Sequence, residues 1–178
     1  MARINLEERG PQLNLAAIES FERRIGRKLP DQYCRFLLDT NGGKPELNYL
    51  ATKNSEVSCG VVRFYSILDR TDQYDLLTEQ IRLKSRMPRN LLIIADCAGG
   101  NRLCISVRAE DFGSIFFWDH ELTVKGDPSS GLFLVAPDFA AFFDALVRLD
   151  PATVDLQPDQ ITEAWIDPDF LDEVKKSH

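Results

Sequence analysis

The sequence predicts an α+β fold: one domain built on a mostly antiparallel sheet of about five to six strands, with helices against its faces. Two observations carry that expectation. Between Asn90 and Glu121, three apolar runs of strand length, Leu91–Ala95, Leu103–Val107 and Ser114–Trp118, are separated by two short turn signals. On either side of that stretch, apolar residues recur at the helical period instead of alternating.

The first break in the central stretch, Ala98-Gly99-Gly100-Asn101, supplies residues that tolerate positive φ, so the chain can reverse there. Gly99 and Gly100 are therefore expected to be structural turn residues. The second, Ala109–Gly113, is a polar link ending in Gly, the length of a hairpin loop. Three strands joined by two short loops make an antiparallel meander.

Residues 1–13 read as a polar leader. Asn14 is placed to cap a helix running to Ile25, with Leu15, Ile18, Phe21 and Ile25 on one stripe and Gly26 as its left-handed stop. Pro30 suits the first position of a second helix, with Tyr33, Phe36, Leu37 and Thr40 on its apolar face. Asn41-Gly42-Gly43 ends it, which makes Gly42 and Gly43 a second pair of turn residues. Residues 44–58 read as a loop with a short strand at Leu47–Leu50, and Gly60–Tyr65 as a strand. Thr71 or Asp72 can cap a helix reaching Lys84, with Tyr74, Leu77 and Ile81 inward; Arg82, Lys84, Arg86 and Arg89 answer the negative end of its dipole. After a loop over Lys125–Gly131 come a strand, Leu132–Val135, and a helix opened by Pro137 with Phe139, Phe142, Phe143 and Leu146 on one face. The chain then turns Pro- and Asp-rich, and Asp167-Pro168-Asp169 can start a short last helix ending at Lys175-Lys176. The expected organisation is a leader over 1–13, an α+β domain over 14–148 and an acidic extension over 149–178, packed on the same domain.

With 178 residues, 44% of them hydrophobic, the chain can bury a real core without staples. No apolar run is long enough to span a bilayer, and MARINLEERG has early charges of both signs without an apolar core. A cytoplasmic location without a membrane partner is the expectation. Cysteines 34, 59, 97 and 104 form no Cys-x-x-Cys pair, so they are expected to act as small core residues and to hold no metal. Cys97 and Cys104 flank the Gly-Gly turn and can face each other across it. Residues 1–50 carry eight basic and seven acidic side chains, residues 51–100 seven and six, and residues 101–178 six and fifteen. The net charge of −7 thus belongs to the C-terminal part, which argues against direct nucleic-acid binding.

Catalytic signatures are sparse. There is no Gly-x-Gly-x-x-Gly, no Walker-type loop, no His-Glu-x-x-His and no Gly-x-Ser-x-Gly elbow. Asp119-His120-Glu121 at a strand end is the best catalytic candidate, as proton-transfer groups or metal ligands. Three consecutive residues on an extended strand point to alternating faces, so a polar strand exit is the better reading. Asp96 and Asn101 beside the Gly-Gly turn are read as side chains that bond nearby backbone N–H groups. No catalytic residue, cofactor or metal is assigned.

A run ending in Ala95-Asp96, then Gly99-Gly100-Asn101, an apolar strand, Asp111-Phe112-Gly113, and a strand closing in Trp118-Asp119-His120-Glu121 resembles the SUKH superfamily. The nearest branch unites fungal cell-wall-assembly regulators with bacterial immunity proteins. Upstream, Phe21-Glu22, Ile25-Gly26, Leu29-Pro30, Tyr33, Phe36-Leu37 and Asn41-Gly42-Gly43 match the same pattern, so the resemblance covers roughly residues 14–148. It implies a non-enzymatic protein-binding module. For bacterial members it implies immunity, meaning capture and neutralisation of a cognate toxin, often a nuclease or a nucleic-acid deaminase. For fungal members it implies a scaffold. Alternatives are an interaction domain without a toxin partner, or a small hydrolase using Asp119, His120 and Glu121. A monomer or weak homodimer is expected. A toxin with a basic cleft would favour an acidic surface, so Asp155, Asp159, Glu163, Asp167, Asp169, Asp172 and Glu173 are the candidate partner-binding residues.

Overall fold

Strands β3 (Tyr49–Ala51), β4 (Ser58–Phe64), β5 (Leu91–Cys97), β6 (Arg102–Ser106), β7 (Ile115–Trp118) and β8 (Leu132–Ala136) lie side by side in chain order, every neighbouring pair antiparallel. They form the sheet of a computed structural model that describes residues 5–51, 58–68, 72–88, 90–125, 127 and 129–148. Helices α1 (Leu15–Ile25), α2 (Asp31–Thr40), α3 (Leu76–Leu83) and α4 (Phe139–Asp144) complete a single α+β domain. A separate two-stranded sheet pairs β1 (Leu6–Glu7) with β2 (Lys44–Pro45). Strands β5 to β7 are the meander expected from the sequence, and Gly99 and Gly100 in its first turn have φ of 73° and 80°.

The two faces of the sheet differ in chemistry. Successive strand residues point to opposite sides. Phe64 points to the side covered by α2 and α4, where it packs with Phe36, Phe139, Phe142 and Phe143, and Tyr33 joins the same cluster. Its register partners across the sheet, Ala95, Leu103, Phe117 and Phe133, are all apolar. The next row, Arg63, Asp96, Arg102 and Trp118, faces the other way, toward α3.

Helix α1 begins where Asn14 accepts a hydrogen bond from the Ala17 N–H at 2.9 Å, and it ends at Gly26 with φ of 69°. Its inner face is Ile18, Phe21 and Glu22; Leu15, expected on that stripe, is exposed. Glu22 is buried because its carboxylate accepts from the Leu29 N–H and from Lys28. Pro30 stands just before α2 as its cap, its carbonyl accepting from the Cys34 N–H. The buried face of α2 is Tyr33, Phe36, Leu37 and Thr40, as its periodicity predicts.

Beyond α2 the chain folds back on its own N-terminal segment. Asn41, at φ of 47°, is buried and gives its side chain to the Pro11 and Ile67 carbonyls and the Ile67 N–H. Gly42 has φ of 76°, and a Cβ there would sit 2.5 Å from the Tyr65 carbonyl oxygen. Gly43 follows with φ of 122°. Only glycine fits the Gly42 position.

Three further expectations need correction. Helix α3 is capped by Asp75, not by Thr71 or Asp72: the Asp75 carboxylate accepts from the Thr78 N–H and hydroxyl and from the Leu68 N–H. Its buried residues are Leu76, Glu79 and Leu83, whereas Ile81 is exposed, because Glu79 has partners waiting on the sheet. Cys97 and Cys104 do not face each other: the hairpin pairs Asp96 with Arg102, which carries Cys104 up to Ile93 and leaves the Cys97 sulfur beside Cys59. The last helix and the acidic residues expected over 149–178 lie outside the described residues.

Candidate functional site

The row Asp96–Arg102–Trp118 crosses three neighbouring strands at the sheet end that carries the Gly99–Asn101 turn. Helix α3 lowers Glu79 onto it. Arg102 donates from Nε to Glu79 Oε1 at 2.8 Å, and from Nη1 to Asp96 Oδ1 at 2.7 Å and to the carbonyls of Gly100 and Asn101. Glu79 also accepts from Arg82 Nε and Nη2, at 2.7 and 2.6 Å, and from the Tyr65 hydroxyl at 3.2 Å. Glu79 is 3% exposed and Arg102 9%, so this is a buried ionic network in which every charge has a partner.

Burial pushes the Glu79 carboxyl upward, but hydrogen bonds from Arg82 and Arg102 outweigh it and leave the group below its ordinary value of 4.5. Burial raises the Tyr65 phenol well above its usual range. At neutral pH Glu79 therefore stays ionised and Tyr65 protonated. The network opens onto a cleft of about 400 Å³ whose wall is completed by Gln73, Tyr74 and Thr78. The Arg63 guanidinium lies 4.4 Å from the centre of the Tyr74 ring and is paired with Glu8.

The motif residues meet one strand further on. Asn101 Oδ1 accepts from the His120 backbone N–H at 3.2 Å and lies 2.9 Å from His120 Nδ1. The imidazole rests against Gly100, where an added Cβ would come within 3.3 Å of the ring. Asp119 Oδ1 accepts from the Glu121 N–H, and Trp118 Nε1 donates to Thr123 at 2.8 Å. The Arg86 guanidinium lies 5.4 Å from the Trp118 ring. Asp119, His120 and Glu121 thus turn to separate partners or to solvent and do not converge on one point. Asp96, expected to bond a nearby backbone N–H, holds Arg102 instead; Asn101 does accept a backbone N–H, that of His120, and engages its imidazole as well. Among the described residues, no group of three His, Cys, Asp or Glu side chains is placed to hold a metal ion, and no helix is long and apolar enough to cross a membrane.

Glu79, Arg102 and Tyr65 were not singled out from the sequence. One signal for Glu79 was present: a carboxylate between Leu76 and Leu83 at helical spacing occupies a core-facing position and demands a buried cation. Asp155, Asp159, Glu163, Asp167, Asp169, Asp172 and Glu173 lie outside the described residues.

Two of the segments that carry the resemblance, Gly99–Asn101 and Trp118–Glu121, are therefore bound to each other in space. A family model described as the SMI1 / KNR4 family (SUKH-1) matches residues 12–145. The chain is also similar to the SPbeta prophage-derived uncharacterized protein YokK of Bacillus subtilis (strain 168), 30% identical over 184 residues that span 92% of this chain and 90% of that protein. With a match that begins just before α1 and ends just after α4, the chain belongs to the SMI1/KNR4 family (SUKH-1).

Proposed function

We propose that this protein is a non-enzymatic binding module of the immunity type, which captures a cognate bacterial toxin and blocks it in the cytoplasm. The observation that carries the reading is the family match over residues 12–145, since the family fits a protein-interaction or immunity-type module. The site chemistry supports it. Glu79 and Arg102 are consumed by each other's charges, and His120 is engaged by Asn101, so the strongest polar groups act on one another. Such a network fixes the shape of a surface. The prophage-derived relative fits a bacterial setting. The toxin class favoured is one that acts on nucleic acid, a nuclease or a deaminase, because a phosphate-binding cleft is basic and the C-terminal part of this chain is acidic.

The test starts from a neighbouring reading frame that encodes a large secreted protein with a variable C-terminal domain. That domain, expressed alone in a bacterial host, should arrest growth, and co-expression of this protein should restore it and yield a co-purifying complex. Continued arrest with no complex formed would sink the immunity reading. Turnover of a substrate by this protein, lost in His120→Ala, would establish the hydrolase alternative instead.

A further inference from the structure

Among the described residues, one pair of reactive groups lies outside the network above. Cys59 and Cys97 sit on neighbouring strands with their sulfurs 3.2 Å apart, 38 residues apart in sequence. Both are buried, at 1% and 2% exposure. The other cysteines are placed differently: Cys34 lies on α2 with its sulfur toward the Leu29 carbonyl, and Cys104 stands opposite Ile93.

We propose that Cys59 and Cys97 are a reversible oxidation site, a dithiol that a hydroperoxide converts into a disulfide joining β4 to β5. A disulfide places its sulfurs about 2.05 Å apart, so the pair has to close by only about 1 Å. The antiparallel ladder holds them there: Val61 is the register partner of Cys97, and Cys59 is that of Leu50 on β3. In the reaction one thiolate attacks the peroxide O–O bond, giving a sulfenic acid and, after protonation, water. The second sulfur then attacks the first, forms the S–S bond and releases the hydroxyl as a second water. Two thiols and one hydrogen peroxide become one disulfide and two waters, and the two electrons lost by sulfur reduce the peroxide oxygens.

Position gives the bond a consequence. Cys97 is followed directly by the Ala98–Gly100 turn that carries Arg102's carbonyl partner and packs on His120. Gly60, next to Cys59, lies against that turn, where an added Cβ would be 3.4 Å from the Ala98 Cβ. The disulfide ties the start of β4 to the base of the turn and stiffens it. Burial, and then the hydrogen bond with Cys59, raises the Cys97 thiol, so oxidation is slow at neutral pH and accelerates as pH rises.

The test treats the reduced full-length chain with hydrogen peroxide, removes the oxidant, unfolds the protein and counts free thiols. Two of the four should be lost, peptide mapping should find one bridge between Cys59 and Cys97, and dithiothreitol should restore all four. Cys59→Ser and Cys97→Ser should each keep three thiols through the same treatment; should either variant fail to fold, the peptide map of the parent chain decides alone. Four surviving thiols, a bridge that includes Cys34 or Cys104, or thiol loss without a bridge would overturn the proposal. Amide exchange at Asn101 should slow in the oxidised form, and equal exchange in both forms would overturn the stiffening.

Discussion

At the scale of single residues, Arg102 is the junction between helix α3 and the sheet. It joins α3 to β5 and closes the turn before it, through Glu79, Asp96 and two backbone carbonyls. Replacing it with Met keeps much of its volume but leaves Glu79 and Asp96 without a buried cation. Removing one partner of a buried ion pair costs roughly 3 kcal/mol or more. Arg102→Met is therefore expected to lower urea-unfolding stability by about that amount, and a loss under about 1 kcal/mol would show the network to be water-accessible. Glu79 gives a second prediction, with a sign. Its folded pKa is depressed below 4.5, so its stabilisation is fully present above the unfolded value and is lost as pH falls through the folded one. The stability gap between the parent chain and Glu79→Gln should stay constant from about pH 7 to about pH 5, then shrink in more acid solution. A gap that persists unchanged to about pH 3 would mean that geometry alone, not the charge, makes Glu79 matter.

At the scale of elements, α3 is the part whose placement decides the site, and Asp75 decides α3. Its carboxylate caps the helix at Thr78 and also holds the Leu68 N–H. Asp75→Ala is expected to cost about 2 kcal/mol, the sum of a lost cap and an unsatisfied backbone donor. Amide exchange should rise along Leu76–Leu83 and stay unchanged in α1; a uniform rise in both helices would place the effect on global stability instead. The same helix shows where sequence legibility ends. Strands β5 to β7 were readable because apolar runs of strand length alternate with Gly-containing turns, a signal local to each segment. The inner face of α3 was not, because Ile81 is apolar yet exposed and Glu79 is charged yet buried. What inverts the pattern is Arg102, 23 residues away in the chain. Strands β1 and β2 are two residues each, too short to carry any period, and their pairing depends on the turn at Asn41–Gly43. Half of the site was visible as motif residues around Gly99–Asn101 and Trp118–Glu121. The other half is tertiary, and no spacing rule finds it.

At the scale of the whole molecule, charge is divided unevenly along the chain. From Asp138 to His178 there are ten acidic and three basic residues, whereas residues 1–100 are nearly balanced. A toxin that acts on nucleic acid needs a cationic cleft to hold phosphates, so a protein that occludes the cleft gains from presenting carboxylates. Opposite charges on two approaching surfaces steer their encounter, raising the association rate; salt weakens the effect by screening over about 8 Å at physiological ionic strength. On the immunity reading, the toxin contacts a surface that includes several of Asp155, Asp159, Glu163, Asp167, Asp169, Asp172 and Glu173. Changing Asp155, Asp159, Asp169 and Asp172 to Asn removes four charges at small change in volume. Stopped-flow association with the toxin domain should then slow, by about tenfold at low ionic strength, and lose much of its salt dependence. The thermal midpoint should move little, because solvated carboxylates contribute little to folding stability. An association rate and salt slope equal to those of the parent protein would remove these carboxylates from the interface. The binding face would then have to lie on the sheet or its loops, with the cleft beside Tyr74 and Arg82 the first place to substitute.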